Sequence, residues 1–594
     1  MSHRSYEDST FTRGFSKVNF RGWKFSGLAC LLLMVVCYST PVWAWQTDHV
    51  AESPLNMVAT VNPIATQAGV NALRAGGNAV DAAVAAGLML SVVDGYNSGI
   101  GGGCFILIQT AEGKLFAIDG REMAAAAAHR DMYLVDGKPD TSLSQTGALA
   151  IGVPGALKAY EQAVQRHGKA DFSSLVKPAA KVAREGFSVS SVYAGRIQGA
   201  AELLARFPGS KSVLLKEDGT GWKEGETLVQ TDLANTLDKI AESGSDYFYQ
   251  GEFATQLAAW MKENGGVITK ADMENYATRD RIAVASTYRG HPIAGFSPPS
   301  SGGVHVAQIL NILEHFDLKD LYENDRATFV HVIAEAMKLA FADRAHWLGD
   351  PAFADVPVGL IAKSYAAELA KKIDLQKVTP VESHGTPPAA DATFFERHTT
   401  HIAASDKAGN WVAITTTNNT VFGSKVIVPG LGVVMNNQMD DFSIAPGVPN
   451  AYGLIGTEAN SVQPGKRPLS SMSPTIVFDE NDRPIMTVGA AGGPKIITQA
   501  LLAIIRRIDL EMPVGEAVGR KRFHHQWAPD ALMLETGFDA AIAKSLEERG
   551  HKIRYSNNVG ITQAIVWEED RGVFVGAHDP RTPGAAAGVQ ANDR

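Results

Sequence analysis

The 594-residue sequence predicts a layered α+β protein. Three observations carry that expectation. A strand pair falls near residue 110, a long run of helical patterns fills residues 152–373, and the texture changes to strands and turns after Thr399. Strands at both ends of a chain, with helices in blocks between and around them, are expected to stack as layers around apolar cores.

The elements follow from local chemistry. Pro63 to Val93 reads as two helices, started by Pro63 and broken at Gly76-Gly77. The second, from Ala79 to Val93, is apolar nearly all round and is expected to be fully buried. "SGIGGGCFILI" and "KLFAIDGREM" read as two strands joined by a turn at Glu112-Gly113. Gly99 to Gly103 lacks both the preceding strand and the following helix that phosphate-binding loops require, so close backbone approach is expected there. Lys377 to His398 is rich in Pro, Ala and Thr and reads as a linker. Strands are then expected at 399–405, 410–417, 431–436, 475–479 and 485–490, and later at 561–567 and 572–577. Helices are expected at 494–507 and 537–549.

Composition narrows the function. The formal net charge is −9, and the first 44 residues are basic, so the remainder is more acidic still. An acidic body disfavours nucleic acid as a partner. The basic N-terminus, the apolar run Gly27 to Thr40, and Val42-Trp43-Ala44 form an export-signal pattern, with cleavage expected after Ala44. An uncleaved membrane anchor is the competing reading. Cys104 would be the one cysteine left in the mature chain, which excludes an internal disulfide and a cysteine-based zinc site. His524-His525 are adjacent and read as structural, since zinc needs three or four convergent ligands. No metal is expected.

Thr399-Thr400-His401 opens a strand directly after the linker. A threonine hydroxyl needs a base, and an N-terminal amine created by chain cleavage supplies one on the same residue. β-Propensity alone would also explain Thr399, Thr400 and Thr415 to Thr417. Three further segments add to the chemical reading. "NNQMDDFS", 436–443, gathers amides and carboxylates that suit an ammonium group. "KRPLSSMSPT", 466–475, places Ser470 and Ser471 where hydroxyls could meet a carboxylate. Gly492-Gly493 precede a helix, where free backbone N–H groups suit an oxyanion.

These strings, with "PGVPNAYGL", "RFHHQW" and the earlier "GREM" and "GGG", resemble the γ-glutamyltranspeptidase family from about residue 50 to the end. The resemblance implies an N-terminal nucleophile hydrolase fold, a four-layer αββα sandwich. It implies self-cleavage at His398-Thr399. Residues 1–44 would then be the signal, 45–398 the large subunit and 399–594 the small catalytic subunit, the two forming one intertwined heterodimer. It further implies Thr399 as nucleophile, Thr417 hydrogen-bonding it, and Gly492 and Gly493 as the oxyanion hole. Arg121, Ser470 and Ser471 would hold the α-carboxylate, and Asn419, Gln438 and Asp441 the α-ammonium. Tyr452 would be a lid. Gly120 and Ala124-Ala125 depart from the family pattern beside Arg121, as do Thr416 and Asn418 beside Thr417 and Asn419. If the strand continues, Thr416 and Asn418 should point away from the site.

The implied activity is transfer of the γ-glutamyl group of glutathione and related compounds to water, amino acids or peptides, without a cofactor, in an exported, periplasmic protein. An acylase of the same fold, acting on glutaryl or β-lactam side chains, and an inactive binding protein for γ-glutamyl compounds are the alternatives.

Overall fold

The strand patterns before and after the linker build the same sheets. In the computed structural model, residues 47–389 and 401–590 are described. Before residue 390 the sheet strands are β1 (Val50–Ser53), β2 (Asn56–Thr60), β3 (Gly103–Gln109), β4 (Leu115–Gly120), β5 (Arg279–Asp280), β6 (Val284–Tyr288) and β7 (His291–Gly295). After residue 400 they are β8 (Ile402–Asp406), β9 (Trp411–Thr417), β10 (Thr475–Phe478), β11 (Pro484–Ala491), β12 (Ile561–Glu568), β13 (Val573–Ala577) and β14 (Ala585–Ala587).

Two seven-stranded antiparallel sheets result, in the orders β1-β13-β12-β11-β10-β7-β6 and β14-β2-β8-β9-β3-β4-β5. In the second, β8 and β9 pair with each other and lie between β2 and β3. The register sets Ala403 opposite Ala59 and Thr417 opposite Gly103.

Period-two alternation makes the layers. Phe105, Leu107, Trp411, Ala413 and Ala403 face the other sheet, meeting Ile476, Ala490, Ile565 and Phe574 in a core between the sheets. Their neighbours Ile106, Ile108, Val412 and Ile414 face outward, against helices α1 (Pro63–Arg74), α2 (Ala79–Val93), α3 (Ala156–His167) and α4 (Phe172–Glu185). On the far side, Val477, Met486, Val488 and Val566 pack against α5 (Gly302–Leu313), α6 (Arg326–Trp347) and α7 (Lys495–Ile508). The order is helices, sheet, sheet, helices.

Helix boundaries obey capping chemistry. Asn62 accepts the Ile64 N–H and Pro63 opens α1. Asn78 and Asp81 form a reciprocal capping box on α2, all fifteen residues of which are buried.

Three expectations are corrected. Residues 284–295, within a stretch read as mostly helical, form the hairpin β6–β7, turned at Arg289-Gly290 and placed at a sheet edge. Residues 431–436 form no strand; only an isolated Ile427–Val434 pairing is present. Gly430 and Gly432 have φ of 78° and 70°, and the Leu431 carbonyl accepts from Thr236 Oγ1 at 2.8 Å, so the segment docks on a helix instead. The helix expected over 537–549 is shorter, Ala540–Glu548, because Asp539 caps it.

Residues 1–44, where the signal is expected, lie outside the described residues. Among the described residues, no helix is long and apolar enough to cross a membrane. Because the β8–β9 pair is flanked on its two outer sides by strands from before residue 390, scission between 390 and 400 should leave two fragments that co-elute in native size-exclusion chromatography. They should separate only under denaturing conditions.

Candidate active site

Strand β9 ends at a cavity of about 490 Å³. Thr417, Asn419, Gln438, Asp441, Tyr452, Ser470, Ser471, Gly492 and Gly493 line it. His398 and Thr399 lie outside the described residues.

Glycines permit the close approach of β9. A Cβ on Gly102 would lie 2.0 Å from the Thr417 carbonyl oxygen, and one on Gly103 would lie 2.2 Å from Glu122 Oε2. Gly99 to Gly103 is thus a packing device, as expected of a glycine run before a buried strand. Thr417 Oγ1 accepts the Asn419 N–H at 2.8 Å. Thr415 and Thr417 share the inter-sheet face of β9, whereas Thr416 faces α3 and its hydroxyl reaches the Gly103 carbonyl at 3.4 Å. Asn418 is buried and donates to the Gly95 carbonyl at 3.3 Å, away from the cavity.

One side of the cavity is rich in acceptors. Asp441 Oδ2 receives Gln438 Nε2 at 3.0 Å and Arg121 Nη2 at 2.6 Å. Gln438 Oε1 is buried and has no hydrogen-bond partner among the described residues. Asn419 Nδ2 is engaged by the Asn437 carbonyl at 3.0 Å. A buried acceptor without a donor is costly, so this corner is arranged for a ligand donor such as an ammonium group.

Gly492 and Gly493 join β11 to α7 with φ of 130° and 63°. Neither N–H finds an acceptor among the described residues. A Cβ on Gly493 would lie 2.5 Å from the Tyr452 ring, so glycine is required both by conformation and by space. Two free N–H groups at the head of a helix form an anion-stabilising pair. Tyr452 spans the cavity between them and the Asn419 carbonyl, to which its hydroxyl donates. Its hydroxyl pKa is raised, first by burial and then by Asp441 and Asp440, so it remains a neutral donor.

Arg121 is fully buried and does not line the cavity. Its guanidinium donates to the Pro468 carbonyl at 3.1 Å, the Leu469 carbonyl at 3.2 Å, Glu122 at 3.4 Å and Asp441. The structure therefore places it behind Asp441 and under the Ser470-Ser471 segment. Asp119 supports it by accepting the Arg121 N–H at 2.8 Å while paired with buried Arg281 and Arg467. Removing one member of such a buried network costs about 3–5 kcal/mol, because the partner is left charged and unpaired.

Sequence reasoning missed Asn97, Arg196 and Lys495 on the cavity wall, and Arg344 behind Ser471. Arg344 follows Asp343 in a helix that also carries Glu335 and Lys338, so the sequence holds no signal that singles it out. His524 and His525 have structural partners. His524 bonds Thr498 and Gln526, both at 3.0 Å, and His525 accepts the Trp527 N–H at 3.1 Å. Elsewhere His331, Glu335 and His551 converge within 4.8 Å. His331 and His551 bond each other at 2.7 Å, and Glu335 pairs with Lys338 at 2.6 Å.

A sandwich of two antiparallel sheets between helix layers, with the cavity at the end of a central strand, defines the N-terminal nucleophile hydrolase class. The solved cephalosporin acylase from Bacillus halodurans has this fold, with a TM-score of 0.81 and 30% identity over 91% of this chain and 97% of that one. A chain of Helicobacter pylori γ-glutamyltranspeptidase is 40% identical, with a TM-score of 0.53 over 54% of this chain and 92% of its own. Residues 65–589 match the family described as Gamma-glutamyltranspeptidase. The glutathione hydrolase proenzyme of Escherichia coli is 45% identical over 537 residues, 90% of this chain and 92% of its own. The acylase ACY 1 proenzyme of a Pseudomonas species is 38% identical over 549 residues, 91% and 94% respectively. The chain belongs to the γ-glutamyltranspeptidase family.

Glu122 gives a pH-dependent prediction. Burial pushes its carboxyl up from 4.5 to about 7, against the pull of Arg121. Between those values the folded state holds a proton that the unfolded state has released, so stability from this group is full below about pH 4.5 and falls as pH rises toward 7. Glu122→Gln removes that slope, worth ~1.4 kcal/mol per pH unit. The thermal midpoint of the variant relative to wild type should therefore rise between pH 5 and pH 7, then level off. A constant offset across that range would contradict it.

Proposed function

We propose that the chain is a self-processing γ-glutamyl hydrolase and transferase acting on glutathione and related γ-glutamyl amides. The observation that carries this reading is one cavity holding both an ammonium-accepting corner, at Asp441 and Gln438, and the free N–H groups of Gly492 and Gly493. An α-amino acid donor whose side-chain amide is attacked needs both.

Cleavage of the His398-Thr399 bond gives Thr399 a free amine that serves as its base. Thr399 Oγ attacks the γ-carbonyl, and the Gly492 and Gly493 N–H groups stabilise the oxyanion. The C–N bond breaks and the leaving amine takes the proton. The resulting γ-glutamyl ester passes to water or to the amine of an amino acid or peptide. Thr417 orients the nucleophile. Ser470 and Ser471 meet the α-carboxylate, with Arg121 beneath them. Asn419, Gln438 and Asp441 meet the α-ammonium. Tyr452 closes the cavity and limits water, which favours transfer. Large and small subunits, 45–398 and 399–594, stay together as a heterodimer. The solved Helicobacter pylori chain supports such a division, since 92% of its length matches just over half of this one. Residues 1–44 direct export, with the periplasm as the site of action.

The acylase relatives raise a second reading, a glutaryl amide donor. Glutaryl groups lack the α-ammonium and would leave the buried Gln438 Oε1 without a donor. A site built to pair a substrate N–H rejects an analogue lacking it, here by ~10²-fold or more. Comparison of kcat/KM for γ-glutamyl and glutaryl anilides measures this, and equal values would favour the acylase reading.

Processing is tested by denaturing electrophoresis with N-terminal sequencing. Bands of about 38 and 21 kDa are expected, scaled from 63.3 kDa by residue count, with the smaller beginning Thr-Thr-His, as a threonine amine nucleophile requires. Thr399→Ala should give a single uncleaved, inactive band. An active enzyme without cleavage would end this mechanism. Arg121→Lys should raise KM strongly, because lysine cannot reproduce the planar fork that braces Asp441 and the Ser470 segment. Unchanged kinetics would remove Arg121 from the site.

A further inference from the structure

The cavity has a second arginine behind it. Arg344 lies near the end of α6, 5% exposed. Its Nε donates to Ser301 Oγ at 2.9 Å and its Nη2 to Ser471 Oγ at 3.1 Å. Both acceptors are neutral, and among the described residues no carboxylate lies within ion-pair distance of this guanidinium. Burial pulls its pKa down to about 10, with Asp441 acting in the opposite direction, so the group is cationic at neutral pH. A buried cation bonded to hydroxyls alone is unfavourable unless an anion arrives nearby.

The hydrogen-bond directions point to where that anion would sit. Ser471 Oγ accepts from Arg344, so its own proton is available, and Ser471 lines the cavity. Ser470 Oγ accepts the Met472 N–H at 3.2 Å and is likewise able to donate. Ser301 completes the support. Its N–H and its hydroxyl both donate to the Ser470 carbonyl at 2.7 Å, while its oxygen accepts from Arg344. Arg121, by contrast, is paired: it donates to Pro468, Leu469, Glu122 and Asp441, and Asp441 offsets its charge.

We propose that Arg344 is a positioning residue for donor specificity, holding and polarising the Ser471 hydroxyl so that the cavity selects substrates with a free α-carboxylate. The proposal rests on the γ-glutamyl reading given above. Hydrogen bonding through a charged group strengthens the serine donor and places a buried positive charge one hydroxyl away from the carboxylate.

The test compares two donors, a γ-glutamyl anilide and the same compound with its α-carboxylate converted to the carboxamide. Wild-type enzyme, Arg344→Gln and Arg344→Lys are assayed on both. The ratio of kcat/KM values between donors does not depend on how much of a preparation is folded. Wild type should prefer the carboxylate donor strongly. Arg344→Gln should lose roughly 10- to 100-fold of that preference, chiefly through KM on the carboxylate donor, as expected for losing a charge-assisted hydrogen bond. Arg344→Lys should retain much of the preference, and it carries the test if the Gln variant yields no processed enzyme. A wild-type preference preserved in both variants would overturn the role of Arg344 while leaving the γ-glutamyl reading intact. A wild type indifferent to the α-carboxylate would overturn that reading and this proposal with it.

Discussion

The position of β8 and β9 in the middle of a sheet is the constraint on which the rest of the molecule depends. Each is hydrogen-bonded on its outer side to a strand that precedes residue 390, β2 for β8 and β3 for β9. Neither half of the chain therefore contains a complete sheet or any of the three inter-layer cores. Trp411 and Ala413 share the core between the sheets with Phe105 and Leu107. A chain break before β8 would leave this packing untouched, because the contacts that matter run across the break rather than through it. The fold can thus tolerate a chain break before β8.

Charge fixes one wall of the cavity. Asp119, Arg281 and Arg467 form a buried cluster that fixes the backbone of Arg121. Arg121 in turn grips Asp441 and the carbonyls of Pro468 and Leu469. Buried ion pairs are weak evidence for stability, since desolvation offsets much of their attraction. Their value here is geometric. They hold an acidic corner and a serine pair in fixed relation on a wall assembled from segments far apart in sequence. Arg344, from α6, bonds Ser471, so the segment from Pro468 to Ser471 is held by two arginines.

Much of the architecture was legible locally. The α1–α2 pair is written in Pro63 and the glycine break at Gly76-Gly77, and the strands β3, β4, β8, β9 and β11 in short apolar runs bounded by turn residues. The hairpin β6–β7 was hidden because its short, half-exposed strands are flanked by long helical patterns that dominate any window. Residues 431–436 misled in the other direction. Their apolar run is a buried loop, bent by two glycines and held by a side chain of a distant helix. In the cavity, residues from short distinctive strings were found, including Gln438, Ser470 and Gly492. Arg196, Lys495 and Arg344 were not, because each sits in a helix whose sequence gives no sign of which face meets the cavity.

The sequence by itself determined the elements, their caps, the glycine-permitted approach before β3, and the residue types that could meet an amino acid. These depend on backbone propensities and turn chemistry, which act over a few residues. Only the tertiary structure decided which groups meet. Arg121 reaches Asp441 across 320 positions, and Arg344 reaches Ser471 across 127. Such contacts are fixed by strand register and by the docking of helices on sheets. Those in turn are set by the packing of the whole chain, which no local pattern encodes.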